Sequence, residues 1–259
     1  MWPFKENSGK KSRGPKDPFT TIISIPGTWK SWDDLMQKVA VRCDGEYFIV
    51  GNMLIHIKSL RHYSLEMHDV DKDIVSGFTE AGKTTGMTET FTASLEKANS
   101  IIYISGPTGN LEEAEYIAFA ATALLQSGGI GVKIETAGKA FEKDNWLELT
   151  NKFKPANLYN MFVVASVTDD QAAVYSRGMQ NLGLKDTIIV GEDPQQAITT
   201  ISVFSNYQIT DKSIIQHKQV FSTQDNATKF NITIEKKHPC KGHQLLENPL
   251  GAWKLSKTI

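Results

Sequence analysis

The chain has 259 residues, of which 40% are hydrophobic and 22% charged, with a formal net charge of −1. This is the composition of a globular protein long enough for one large domain or two small ones. A near-neutral balance and a pI of about 6.6 supply no global field toward nucleic acid or an anionic membrane, and two cysteines, Cys43 and Cys240, are too few for a disulfide framework.

The first residues, MWPFKENSGKKSRGPKDPF, place Lys and Gly where a signal peptide needs an apolar stretch. The longest apolar runs, IAFAATALL and MFVVASV, are too short to span a bilayer. A cytoplasmic protein is expected, with a disordered, mildly basic tail over residues 1–18. FTTIISI, bounded by Pro26-Gly27, reads as a strand. TWKSWDDLMQKVAV follows as a helix, with Trp29, Trp32, Leu35, Met36 and Val39 on one stripe. YFIVGNMLIHIKSL reads as strands broken near Gly51-Asn52, and SLEMHDV as another strand.

The middle is clearer. SIIYISG is a strand, and Asn110 with Glu113 three residues on forms a capping-box pattern. Ala114, Ile117, Ala118, Ala121, Leu124 and Leu125 share one helical face, and Gly128-Gly129 ends the helix. GVKIET completes a β-α-β unit. A second unit follows: a DNWLELTNKF helix around Trp146, a YNMFVVASV strand, a short helix or turn at SRGMQNLGL and a DTIIVG strand. Asp193-Pro194 opens a further helix. KFNITIEK alternates, with Phe230, Ile232 and Ile234 inward. Two segments share one grammar of strand, Gly/Pro turn and amphipathic helix: TTIISIPGTWKSWDDLMQKV and NSIIYISGPTGNLEEAEYIAFAATAL. The expected fold is α/β to α+β, a mixed β-sheet with helices packed on it. It divides into an N-terminal portion over 19–98 and a C-terminal domain over 99–259, or forms one continuous domain.

GFTEAGKT, Gly77 to Thr84, matches the phosphate-cradling pattern G-x-x-x-x-G-K-T. Gly77, Gly82, Lys83 and Thr84 would hold a nucleotide, and Asp169, ending MFVVASVTDD, would hold magnesium. Its surroundings argue against it. Asp71, Lys72 and Asp73 stand where a buried strand should run, Glu80 lies inside the loop, and Gly86 weakens the following helix. His238, Cys240 and His243 in HPCKGH are weak metal-ligand candidates without a second Cys/His pair. No G-x-S-x-G elbow or G-x-G-x-x-G fingerprint is present, so no catalytic residue and no cofactor is assigned.

LLQSGGIGVKIETAGKAF with Trp146, then YSRGMQNLGLKDTIIV, then ENPLGAWKL together resemble the bacterial domain-of-unknown-function family 4261, over roughly residues 100–255. Gly178-Met179 fits the pattern, Leu182 replaces an aromatic before Gly183, and Asp186 fills the acidic place. The resemblance implies a mixed α/β domain and no established activity. The leading expectation is a non-enzymatic protein-binding protein. Most concretely, it is an immunity protein that occludes the active site of its cognate interbacterial toxin. The alternative is a P-loop nucleotide-binding enzyme.

Overall fold

The computed structural model describes residues 19–211, 214–224 and 227–258. The expected tail over 1–18 lies outside these residues. The chain is α+β, with two sheets, each carrying helices.

β1 (Phe19–Gly27) runs through the middle of the first sheet. It pairs antiparallel with β5 (Ser100–Thr108) on one side and β6 (Gly131–Ile134) on the other. β2 (Tyr47–Val50), β3 (Met53–His56) and β4 (His62–Asp69) extend the sheet beyond β5, and β7 (Lys139–Glu142) extends it beyond β6. The full order is β2-β3-β4-β5-β1-β6-β7. GVKIET is therefore not beside SIIYISG, as a simple β-α-β unit would have it: β1 is inserted between them. β4 and β1 flank β5 in the same way. The core of the sheet is two interleaved split β-α-β units, a ferredoxin-like topology. The two segments of shared grammar are the leading strand and helix of each unit.

α1 (Trp32–Arg42) and α4 (Leu111–Gln126) cover one face of this sheet. α1 starts at Ser31, whose side chain accepts from the Asp34 N–H, so Trp29 precedes the helix instead of joining its stripe. Trp29 is fully buried, and its Nε1–H donates to the Ser127 carbonyl at the end of α4 (2.7 Å). α4 begins at Asn110, which caps the Glu113 N–H, and ends before Gly128 in the left-handed region. Ala114, Ala118 and Ala121 bring it close to the sheet. Ile117, Leu124 and Leu125 each add roughly 1.5–3 kcal/mol by burial. α2 (Lys72–Gly82) and α3 (Glu89–Leu95) cover part of the other face, where Phe78, Phe91 and Leu95 pack with Ile101 and Ala140.

α5 (Lys143–Asn151) packs on α4 through Trp146, which is fully buried and donates to Thr122 Oγ1 (3.0 Å). YNMFVVASV is not one strand. Its first half belongs to α6 (Asn157–Phe162), and β8 (Val164–Val167) begins after it. Lys139 explains the helix end: its Nζ donates to the carbonyls of Asn160 (2.5 Å) and Val163 (2.9 Å), and burial lowers its pKa to about 8.

The second sheet adds β9 (Ala173–Arg177), β10 (Asp186–Val190), β11 (Val220–Ser222), β12 (Lys229–Glu235) and β13 (Ala252–Lys257) in the order β11-β12-β13-β10-β9-β8. Only β10 and β13 run parallel. α7 (Pro194–Thr210) lies on it, capped by Asp193, with Ile201 and Phe204 against Ile189, Phe230, Ile232 and Leu255. The apolar cluster stops at Ile232, and Ile234, expected to point inward, is 54% exposed. A boundary between residues 98 and 99 would cut the first sheet in two, because β1 pairs only with strands that follow it. The chain instead changes sheets between β7 and β8.

The GMQNLG segment joins the sheets as a 3-10 turn, Met179–Leu182, between two left-handed glycines. A Cβ on Gly178 would stand 2.0 Å from the Phe162 carbonyl oxygen, and one on Gly183 would stand 2.0 Å from that of Gly109. Asn181 Oδ1 accepts from Thr21 Oγ1 (2.6 Å) and Thr136 Oγ1 (2.7 Å) in the first sheet, while its Nδ2 donates to the Gly178 carbonyl (2.9 Å). The ENPLGAW segment braces the turn from behind. Asn248 donates to the Leu184 carbonyl (2.9 Å), and the Asp186 N–H to that of Gly251 (3.2 Å).

Gly191 also has positive φ, but open space where a Cβ would go. Gly191→Ala should therefore cost roughly 1–2 kcal/mol, the backbone strain alone. Gly183→Ala adds a collision with main chain and should cost more than about 3 kcal/mol. Urea unfolding of the two variants measures the difference.

Candidate functional site

An open groove of about 1190 Å³ lies at the β2 end of the first sheet, between the β2–β3 hairpin, α4 and α5. It is built from a short stretch of chain. α1 ends at Arg42, and Asp44 and Gly45 both turn through positive φ. The Glu46 N–H closes back on the Cys43 carbonyl (2.8 Å). β2 then enters the sheet and returns through the two-residue turn Gly51-Asn52, which sets Tyr47 opposite His56.

Their rings lie 4.9 Å apart, and His56 is 6.1 Å from the Tyr116 ring on α4. Arg61 stacks over Tyr116 at 3.7 Å and is held by Glu112 (2.7 Å) and Glu113 (3.1 Å). His56 Nδ1 bonds Ser59 Oγ (2.7 Å). Leu147, Glu148 and Asn151 of α5 form the far wall. Burial pushes the Tyr47 hydroxyl well above the usual tyrosine range. Burial also pushes the Cys43 thiol up; its S–H donates to the Ala123 carbonyl (3.7 Å), and Ser127 Oγ lies 3.5 Å from the sulfur. A protonated thiol without a base nearby makes a poor nucleophile. The arrangement offers stacking, hydrogen bonding and apolar contact.

The outer edge around this groove is unusually apolar. Among the described residues, six of the thirteen exposed large apolar side chains, Val41, Phe48, Val50, Met53, Ile57 and Leu60, fall between positions 41 and 60. Leu60, at the turn into β4, is 74% exposed and has φ +58. A branched side chain in the left-handed region costs about 1–2 kcal/mol, and its exposure recovers none of it within the fold.

The P-loop reading requires a correction. Gly77 and Gly82 lie inside α2, and Lys83 and Thr84 in the 3-10 turn that follows it. The charged residues that were wrong for a strand are right for a helix start: Asp71 is the N-cap and accepts from the Ile74 N–H (2.8 Å). Backbone N–H groups spent on helical bonds cannot converge on a phosphate. Lys83 is exposed and pairs with Glu80. Asp169 sits exposed in the β8–β9 turn of the other sheet, so the structure does not bring it to Lys83.

In HPCKGH both ring nitrogens of His238 and the Nδ1 of His243 are engaged. His238 Nε2–H donates to the Ser176 carbonyl (3.1 Å), and its Nδ1 accepts from the Cys240 N–H (3.2 Å). His243 Nδ1 accepts from the N–H groups of Leu245 and Leu246 (3.3 Å each). Among the described residues no group of three or more His, Cys, Asp or Glu is arranged to hold a metal.

Cys43 is noted in the sequence, but nothing there joins it to the other residues of the groove. Reading Gly51-Asn52 as a two-residue hairpin would have paired Tyr47 with His56 and exposed Phe48 and Val50 on the other face. Comparison of the chain with protein-family models, with curated proteins and with solved structures found no match.

Lys83→Ala removes only an exposed ion pair and should change stability by less than about 1 kcal/mol. Labelled ATP and GTP should show no saturable binding to either protein by fluorescence polarisation. Saturable binding abolished by the substitution would restore the nucleotide reading.

Proposed function

We propose that this protein is a non-enzymatic binding protein whose ligand is another protein, held at the groove and the β2–β3 edge. The observation that carries this reading is Leu60. An exposed leucine in a strained backbone, among five further exposed apolar side chains, is a contact feature more than a folding feature. β2 supports it as an edge strand of the first sheet, because the alternation of an antiparallel pair turns the Tyr47 and Ile49 main-chain groups outward. The groove adds aromatic anchors, Tyr47 and Tyr116, to a rim carrying Asp44, Glu46 and Glu148.

In its most concrete form the partner is a toxin, and the protein is the immunity protein that occludes the toxin's active site in the cytoplasm. Arg42 and Lys58 also line the groove and Lys58 pairs with Glu46 (3.0 Å), so the acids left to meet a basic active-site cleft are Asp44 and Glu148. The likeness of residues 100–255 to family 4261 is kept as part of this proposal and adds no activity to it.

Co-expression with the product of the adjacent gene should yield a stable complex and restore growth where that product is toxic. Absence of both removes the immunity reading. Phe48→Asp combined with Leu60→Asp should weaken the complex at least about 100-fold by calorimetry. Both side chains are already exposed, so the unfolding midpoint should hardly move.

A further inference from the structure

Behind the joint lies a buried cluster that the binding reading does not use. Asp186 opens β10 and is fully buried. Its Oδ1 accepts from Ser176 Oγ (3.2 Å) and from the Met179 N–H (3.3 Å) of the joint. Its Oδ2 has no partner among the described residues. Arg177 ends β9 at the same end of the strand pair. Its guanidinium lies flat against Gly138, in the β6–β7 turn of the first sheet, and donates one long bond to the Gly138 carbonyl (3.4 Å). Its Nε is buried and also without a partner. An acid and a base, each half satisfied, thus sit on adjacent strands of the second sheet, with the Arg177 side chain reaching the first sheet at Gly138.

We propose that Arg177 and Asp186 form a proton-controlled latch: when Asp186 gives its proton to solvent, Arg177 leaves Gly138 and pairs with the carboxylate, loosening the Gly138 end of the β6–β7 turn while Asn181 and Gln180 still hold Thr136. Lys139, next to Gly138, is the one neighbour whose pKa burial brings close to neutrality, to about 8, and its Nζ is spent on the Asn160 and Val163 carbonyls; Asp186→Asn separates its effect from that of the carboxyl. The Lys185 Nζ is engaged by the Leu250 carbonyl. Burial keeps the Cys240 thiol protonated and lowers the His238 pKa, and the His238 Nε2–H is spent on the Ser176 carbonyl. Tyr175 is raised by burial and stays neutral. α7 has no charged side chain along its length, and neither has the 3-10 turn of the joint.

The balance lies near neutrality. Burial raises Asp186 to about 7, against the pull of its hydrogen bonds and of Arg177. The folded state therefore holds a proton that the unfolded chain releases near 4. Stability from this group is greatest below that value and declines as pH rises to about 7.

Carbon-13 NMR of aspartate carboxyls in the full-length protein, with amide exchange at Ala137 and Gly138, tests the latch. One carboxyl should titrate near pH 7. Protection at both amides, corrected for intrinsic rates, should fall at least about fivefold between pH 6 and 8. Asp186→Asn should abolish that fall. Arg177→Met should abolish it too, and should move the carboxyl midpoint up by about one unit. Titration of every aspartate below pH 5, or the same fall in both variants, overturns the proposal. If Asp186→Asn does not fold, the wild-type carboxyl and Arg177→Met decide: an unchanged midpoint in Arg177→Met also overturns it.

Discussion

One side-chain amide holds the two sheets in register. Asn181 accepts from two threonines that are 115 positions apart in the chain but neighbours in the first sheet, and donates to its own turn. All three partners are buried or part of the turn, so losing the amide would strand the Thr136 hydroxyl away from water, while that of Thr21 would keep only Thr108 Oγ1 (2.9 Å). A group so stranded costs about 1–3 kcal/mol. The amide reaches them only because the turn lies against main chain, at Phe162 on one side and Gly109 on the other. Glycine at 178 and 183 is what permits that approach. The resemblance motif GMQNLG is thus explained by packing, and ENPLGAW by the need to support the same turn.

The molecule grades from this joint outward. Near Asn181 the side chains are buried and paired. At β2 the main chain has an open edge, the side chains are apolar and exposed, and Leu60 is strained. Binding surfaces are commonly held on such edges by a rigid scaffold. The interleaved topology supplies the rigidity, since β5, next in from β4, is locked between β4 and β1.

Strands and helices with strong local signals were legible: the Asn110 cap, the Gly128 stop, the Asp193-Pro194 start and Trp146 all stand where the pattern put them. Features set by distant residues were not. α6 ends where Lys139 caps it, and nothing in YNMFVV announces a lysine 20 positions upstream. β1 lies between β5 and β6 because two units interleave, whereas a chain-order reading pairs neighbours. The GFTEAGKT match failed because a spacing pattern does not specify its conformation, though Asp71 already suited a helix cap. The groove stayed hidden because its residues come from α1, a hairpin, α4 and α5, and no local window contains them.

The placement of β1 also bears on synthesis. It is made before every other strand of the described residues, yet each of its ladder partners begins at residue 100 or later. About eighty residues must be translated while its apolar, β-branched backbone has no strand beside it. α1 and the β2–β4 meander can form locally in that interval, and they shelter one face of β1 but neither of its edges. The chain is therefore most exposed to misassociation before β5 is made.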